Sequence, residues 1–315
     1  MLRGEKRLIQ QIRYLARDGP SLVAGIGDDC AVLRVPPGRE LLVTTDFSLE
    51  NVHFRRDWHP PELVGWRCLT RGLSDIAAMG GEPRAAFLSL ALPSDLPQRW
   101  VNRFLTGLLG LAREFHLPLA GGDTAQSRSG IQADIIVVGS VPKGKAVLRS
   151  GAKPGEYIYV TGELGGAAAA LAQMAQSPAG RTGVLAQFRP QARVAVGQSL
   201  RRRGLASAMI DLSDGLSTDL EHICQESHVG AEIEAAAIPR AQFAKAQVPL
   251  EFALHGGDDY ELLFTSAADV PSKIAGVRVT RIGRTLRASG MCIVSRDGKS
   301  KPLHARGWEH FRRSS

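Results

Sequence analysis

The sequence predicts an α+β protein of two domains, on three observations. At 315 residues the chain exceeds the roughly 250–300 residues beyond which single hydrophobic cores stop growing. Helical and strand patterns alternate through it without a strict βαβ rhythm in the first half, which fits two α+β domains better than one doubly wound sheet. The stretch Lys143 to Pro154 is rich in Gly, Pro and Lys and reads as a linker. The expected domains are therefore 1–146 and 147–315.

Leu8, Ile9, Ile12, Leu15 and Ala16 recur at helical spacing, so residues 5–17 open the chain as an amphipathic helix. Asp18-Gly19-Pro20 stops it. Strands follow near 30–35 and 40–46, separated by the turn residues Pro36-Pro37-Gly38. Pro60-Pro61 starts a long helix that runs to Met79 and ends at Gly80-Gly81. A strand at 84–92, a helix at 97–115, a strand or loop reaching Asp123 and a strand at 131–141 complete the first half. Beyond the linker come a strand at 156–161 and helices at 167–174 and 190–203. A further strand ends at Asp211, before a helix at 216–226. Strands at 260–265, 277–283 and 290–295 finish the pattern.

Composition excludes several classes. Hydrophobic residues make up 44% and charged residues 22%, the balance of a soluble globular protein. No apolar run reaches the roughly 18–20 residues of a membrane span. The N-terminus enters a helical pattern without the apolar core of a signal peptide, which predicts a cytoplasmic protein. Cys30, Cys68, Cys224 and Cys292 have neither C-x-x-C nor zinc-finger spacing and read as free thiols. The net charge is +8, yet aromatics are only 6% and there is no basic tail. A nucleic-acid surface is therefore disfavoured; a solvated surface is the default reading of the charge, and a phosphorylated small substrate is the next.

The most informative stretch is Met209-Ile210-Asp211-Leu212-Ser213-Asp214-Gly215-Leu216. An apolar strand runs into two aspartates three residues apart, and a helix follows. Such a turn places carboxylates and free backbone N–H groups where a helix N-terminus can face an anion. Related pieces are Gly27-Asp28-Asp29, Thr44-Thr45-Asp46, Leu73-Ser74-Asp75, Gly121-Gly122-Asp123 and Gly256-Gly257-Asp258-Asp259. Any one of them is most simply a turn or a cap. Six in one chain suit magnesium, which takes hard oxygen ligands and bridges carboxylates to phosphates. In extended backbone only one of Asp28 and Asp29 faces the metals. Asp75 lies on the apolar stripe of its helix and is costly to bury unless paired or metal-bound. Gly139 to Ala146 imitates a P-loop, but alanine stands where the magnesium-binding hydroxyl belongs and a turn follows in place of a helix. There is no G-x-S-x-G elbow and no H-E-x-x-H, and the eight histidines show no metal-ligand spacing.

These motifs resemble the thiamine-monophosphate kinase family, within the superfamily of aminoimidazole ribonucleotide synthetase and selenophosphate synthetase. The resemblance runs through Gly25 to Ala31, Thr44-Thr45-Asp46, His53-Phe54, Leu73 to Gly80 and Gly121 to Thr124. It continues through Arg149 to Gly155, Ile210 to Leu216 and Gly256 to Glu261, in the family's order and over nearly the whole chain. Three positions depart from the family's pattern. Asp258 stands where glutamate is common, Trp308 where tyrosine also occurs, and Gly72 where asparagine often precedes Leu-Ser-Asp.

The resemblance implies ATP-dependent phosphorylation of thiamine monophosphate to thiamine diphosphate, the last step in making that cofactor, by direct magnesium-assisted transfer. It implies an N-terminal mixed sheet with flanking helices that binds ATP and magnesium and forms a homodimer. It also implies a C-terminal α/β sandwich, like that of aminoimidazole ribonucleotide synthetase, completing the cleft that holds the nucleotide. By carry-over Asp29, Thr44, Thr45, Asp46, Asp75, Asp123, Asp211 and Asp214 are ligands for several magnesium ions. Gly122, Asp123, Arg149 and Ser213 touch ATP, and His53, Asp258 and Trp308 line the thiamine side. No general base is assigned, because the acceptor is a phosphate monoester already mostly dianionic at pH 7 (second pKa about 6). The rivals are another ATP-dependent ligase or synthetase of the superfamily and a non-catalytic nucleic-acid-binding protein. Selenophosphate synthetase is disfavoured, since Cys30 follows Asp28-Asp29 and sits in no Gly-rich loop.

Overall fold

A computed structural model describes residues 5–16, 19–26, 30–176, 185–243 and 246–311. They fall into two units, Met1–Ile76 with Gly81–Gly144, and Ala77–Gly80 with Lys145–Ser315.

In the first unit the apolar stripe of α1 (Glu5–Leu15) buries Leu8 and Ile12. The short strands β1 (Leu22–Ala24) and β2 (Val32–Leu33) pair antiparallel. β1 is too short to carry a readable period. The main sheet contains β3 (Arg39–Leu49), β4 (Glu82–Pro93), β5 (Leu119–Ser127) and β6 (Gln132–Pro142), in the order β3-β6-β4-β5. Only the β4–β5 pair is parallel, because α3 (Gln98–Glu114) provides the crossover between them. The segment reaching Asp123 is thus a strand. α2 (Pro61–Ala78) lies on one face, and Gly72 approaches so closely that a Cβ would stand 2.5 Å from Val137 Cγ2. Period-2 alternation leaves the other face of β3 with Leu41, Val43 and Phe47 at 51%, 67% and 56% exposure.

The second unit is built on β7 (Tyr157–Thr161), α4 (Gly166–Gln176), α5 (Val194–Arg202), β8 (Ala208–Asp211), α6 (Leu216–Ser227) and β9 (Gly230–Glu234). It continues with β10 (Gln242–Phe243), β11 (Ala246–Gln247), α7 (Leu250–His255), β12 (Leu262–Ser266) and β13 (Lys273–Ile274). β14 (Val277–Leu286), β15 (Met291–Val294) and β16 (Ser300–Pro302) complete it. Its large sheet runs β16-β15-β9-β14-β7-β12-β8, with β13 added on β14; β9–β15 is its parallel pair. Ile158, Val160, Ile210 and Leu263 face the apolar side of α6, where Leu216, Leu220 and Ile223 close the core. Tyr159 and Phe264 point the opposite way and stack with ring centroids 5.3 Å apart. Mixed sheets flanked by helices in both units make the α+β class. Among the described residues no helix is long and apolar enough to cross a membrane.

Candidate active site

Each unit carries one acidic cluster, and the two are built differently. In the first, β3 supplies Thr44, Thr45 and Asp46 as an edge strand of its sheet. Successive side chains on a strand point to opposite faces, so the three separate. Thr44 and Asp46 turn toward α2, where the Thr44 hydroxyl meets the Asp75 carboxylate in a short hydrogen bond. Thr45 turns to the open face, and its Oγ1 donates to Asp134 Oδ1 at 2.7 Å. Asp46 keeps 34% of its side chain exposed and has Arg71 Nη1 4.0 Å away. Burial and the neighbouring charge of Asp75 push its carboxyl up to about 7, with Asp134 adding to the shift and Arg71 opposing it. Arg71 opposes the rise at Asp46 without cancelling it, so a cation bound beside Asp46 would relieve the repulsion there.

The open face continues the cluster. Across the sheet Phe47 lies opposite Asp134, Asp134 opposite Ser89, and Ser89 opposite Asp123. This row lines a shallow cleft of about 210 Å³. Asp123 is exposed, and its Oδ1 accepts the Thr124 N–H at 2.8 Å. Beside it, Gly122 adopts φ +147° and passes Leu88 so closely that a Cβ would lie 1.9 Å from the Leu88 carbonyl oxygen. Gly121, Gly122 and Asp123 also line a larger cleft of about 730 Å³, with Ile9 and Ile12 of α1 and Phe87 of β4. His53 lies beyond the end of β3, where its Nδ1 accepts the Leu49 N–H at 3.0 Å. Asp28 and Asp29 fall outside the described residues.

The second cluster is the strand-to-helix turn that the sequence singled out. Asp211 ends β8 with 4% exposure, Ser213 and Asp214 form the turn, and Gly215 enters α6 at φ +116°. The turn is clamped by backbone. Leu212 N donates to Glu261 O at 2.8 Å, Tyr260 N to Leu212 O at 2.8 Å, and Asp258 N to Ser213 O at 2.9 Å. Asp258 and Tyr260 adopt φ of +68° and +52°, left-handed values that non-glycine residues rarely take without such support. Glu261 is itself held by Thr161 Oγ1 at 2.5 Å and by a two-point ion pair with Arg193.

One expectation for this turn is corrected. The N–H groups of Asp214 and Gly215 do not await an anion, since both donate to Asp219 Oδ2, at 3.2 and 3.0 Å. Asp219 lies in the first turn of α6 with 1% exposure. Burial, then the charges of Asp211 and Asp214, raise its carboxyl well above the ordinary range. The turn therefore offers carboxylates more than amides. Asp214, Asp219 and His222 bring ligand atoms within 4.8 Å of one another. Asp219 and His222 are one helical turn apart, a spacing the histidine pattern alone did not disclose.

The remaining expected residues sort clearly. Asp258 lies against Ser213, its Oδ1 accepting the Tyr260 hydroxyl at 2.8 Å. Asp259 serves the fold: it accepts the Gly165 N–H at 2.8 Å at the start of α4, and burial raises its pKa well above the usual carboxylate range. Trp308 reaches the same turn through its backbone, donating to Asp214 O at 3.0 Å. Arg149 is exposed in a short turn beside the other end of β8, where Met209 N donates to Leu148 O. Asp134, Arg71 and Asp219 were absent from the sequence-derived set. Asp134 was detectable as a charged residue inside a strand pattern, and Asp219 as an acid in a helix's first turn.

Residues 27–141 match the family AIR synthase related protein, N-terminal domain, and residues 153–290 match AIR synthase related protein, C-terminal domain. The thiamine-monophosphate kinase of Escherichia coli K12 is 40% identical over 304 residues, covering 91% of each chain. The crystal structure of thiamine-monophosphate kinase from Stenotrophomonas maltophilia K279a superposes with a TM-score of 0.82 at 34% identity, over 95% of this chain and 98% of that one. AaThiL complexed with AMPPCP and TMP superposes with a TM-score of 0.76 at 32% identity, over 99% of both chains.

Proposed function

The chain belongs to the thiamine-monophosphate kinase family, and we propose that it transfers the γ-phosphoryl group of ATP directly to the phosphate of thiamine monophosphate, giving thiamine diphosphate and ADP. The observation that carries this reading is the end-to-end likeness to a homologue complexed with AMPPCP and TMP. The two acidic clusters suit it chemically.

The donor set fits magnesium. The carboxylates and threonine hydroxyls offer hard oxygen, and Asp46 is held in a poorly neutralised group with Asp75 and Asp134. We assign Thr44, Thr45, Asp46, Asp75 and Asp123 of the first unit, and Asp211 and Asp214 of the second, as residues that would hold the ions. Asp29 completes the set by resemblance. Thr44 and Asp46 face away from Thr45, but β3 is an edge strand, so all three border its free edge. Bound there, magnesium would offset the repulsion between two phosphorylated substrates, which for unit charges 4 Å apart at an effective dielectric of ~20 is about 4 kcal/mol.

The chain's own groups then position. Gly122, lacking a side chain, lets backbone approach the nucleotide, and Arg149 and Ser213 contact ATP. His53, Asp258 and Trp308 take the thiamine side, where the half-exposed indole offers a cation–π face to the thiazolium. No residue is assigned as general base, since the attacking phosphate oxygen is already ionised near pH 7. The exposed apolar row Leu41, Val43 and Phe47 supports a homodimer through the open sheet face, and ATP as co-substrate suits a cytoplasmic enzyme.

Incubating the protein with ATP, magnesium and thiamine monophosphate is expected to yield thiamine diphosphate and ADP in equal amounts. Absence of product at saturating magnesium would overturn the reading.

A further inference from the structure

The first turn of α6 makes a set of contacts that phosphoryl transfer does not require. Three consecutive N–H groups of the C-terminal segment donate onto it or the turn before it. Arg306 N reaches Ser217 Oγ at 3.3 Å, Gly307 N reaches Thr218 Oγ1 at 2.9 Å, and Trp308 N reaches Asp214 O at 3.0 Å. Residues 303–311 form neither helix nor strand, so no ladder fixes the segment. Trp308 is 51% exposed, and its ring meets His310 edge to face with centroids 5.6 Å apart. Its location is consequently set through its backbone rather than by insertion into a core.

We propose that Thr218 is a positioning residue for the acceptor substrate, fixing the Arg306–Trp308 strap so that the indole stands beside the Asp214 turn. The inference rests on the reading of Trp308 as part of the thiamine side. Thr218 is the stronger of the two side-chain anchors. Its bond is shorter than that of Ser217, whose Oγ is also engaged with His255 Nδ1 at 2.8 Å. Thr218 holds Gly307, the residue immediately before the tryptophan, so loss of its hydroxyl removes the side-chain anchor nearest the ring and leaves the Trp308 N–H bond to Asp214 O to hold it alone. The last of the three bonds is made by the backbone of the residue that carries the aromatic ring. Loosening of the strap is therefore expected to weaken recognition of the thiamine heterocycle while nucleotide recognition stays as it was.

The test is steady-state kinetics on the full chain with ATP, magnesium and thiamine monophosphate, comparing wild type with Thr218→Val, Thr218→Ser, Trp308→Ala and the Thr218→Val/Trp308→Ala double variant. Thr218→Val, near-isosteric without the acceptor, is expected to raise KM for thiamine monophosphate about fivefold, the effect of one lost hydrogen bond, with KM for ATP unchanged. Thr218→Ser restores the acceptor and is expected to return KM close to wild type. In the Trp308→Ala background the valine substitution is expected to add nothing, because its effect runs through the ring. A wild-type KM in Thr218→Val, or an equal rise in both backgrounds, would overturn the inference while leaving the role of Trp308 standing. An unchanged KM in Trp308→Ala alone would overturn the assignment of that ring to the substrate, and the inference with it. Should Thr218→Val fold poorly by circular dichroism, Thr218→Ala against Thr218→Ser carries the same comparison.

Discussion

The two acidic clusters differ in what holds them. In the first unit, Asp46, Asp75 and Asp134 come from two strands and a helix and interact through side chains, and Asp123 joins their row from a third strand through register. The charges there are poorly balanced, and Asp46 is lifted to about 7 as a result. In the second unit, Asp211 and Asp214 sit on one short turn that backbone groups of 258–261, 308 and the carboxylate of Asp219 fasten from several sides. The first cluster is shaped by its charges and the second by its scaffold. Removing a carboxylate should therefore have opposite effects on stability in the two places.

The largest expected effect tests both clusters at once. Asp46→Asn and Asp211→Asn each remove a proposed magnesium ligand without changing volume, and each should lower turnover by about a thousandfold or more. Without magnesium, Asp46→Asn should also raise the melting temperature, because it relieves repulsion with Asp75 and Asp134. Turnover assays and thermal melts in EDTA check the pair. Activity near wild type in both variants would break the metal assignment. A lowered melting temperature for Asp46→Asn would break the contrast between the clusters.

How much of this was legible from sequence follows the same division. The turn around Asp211 and Asp214 is contiguous, so an apolar run into Asp-Leu-Ser-Asp-Gly announced strand, turn and helix together. Asp75 was placed correctly on its helix by the apolar residues around it. Asp134 showed only as a charge inside a strand pattern; what made it relevant, β6 pairing with β3 so that residue 134 lies opposite 47, is a register between distant segments that neither strand's own residues state. The turn's N–H groups read as free because the chain pattern does not say which carboxylate folds back. Asp219 does so one helical turn later. The strand order of the second sheet, with β14 between β7 and β9, was equally invisible, since it depends on pairing between segments far apart in the chain.

An intermediate effect isolates the scaffold of the second cluster. Asp219→Ala removes the acceptor shared by Asp214 and Gly215 N–H groups that lie at the buried base of the turn. Leaving such donors unsatisfied should cost about 1–3 kcal/mol of stability in urea unfolding, the opposite sign to Asp46→Asn. With the turn loosened, half-saturation by magnesium should move to higher concentration, and added magnesium should recover part of the lost rate. Asp219→Asn, which keeps an acceptor oxygen, should fall between. Stability unchanged in the alanine variant would mean the turn holds without its carboxylate, and the scaffold description would fail.

The smallest effect concerns pH and separates charge from scaffold most cleanly. Asp46 has its folded-state pKa raised from 3.8 to about 7, so between those values the folded chain binds more protons than the unfolded one. Stability contributed by this group therefore falls as pH rises through that window and is fully lost above it. Magnesium bound to the ionised carboxylates reverses the disadvantage, because it binds the folded state and neutralises the repulsion. The rise in melting temperature on adding saturating magnesium should consequently be larger at pH 8 than at pH 5.5. Asp46→Asn should shrink that difference, whereas Asp219→Ala should lower both melting temperatures and leave most of the difference in place. Equal magnesium stabilisation at the two pH values in the wild-type protein would show that cation binding does not draw on the charge of the first cluster, and the distinction between the two clusters would have to rest on backbone alone.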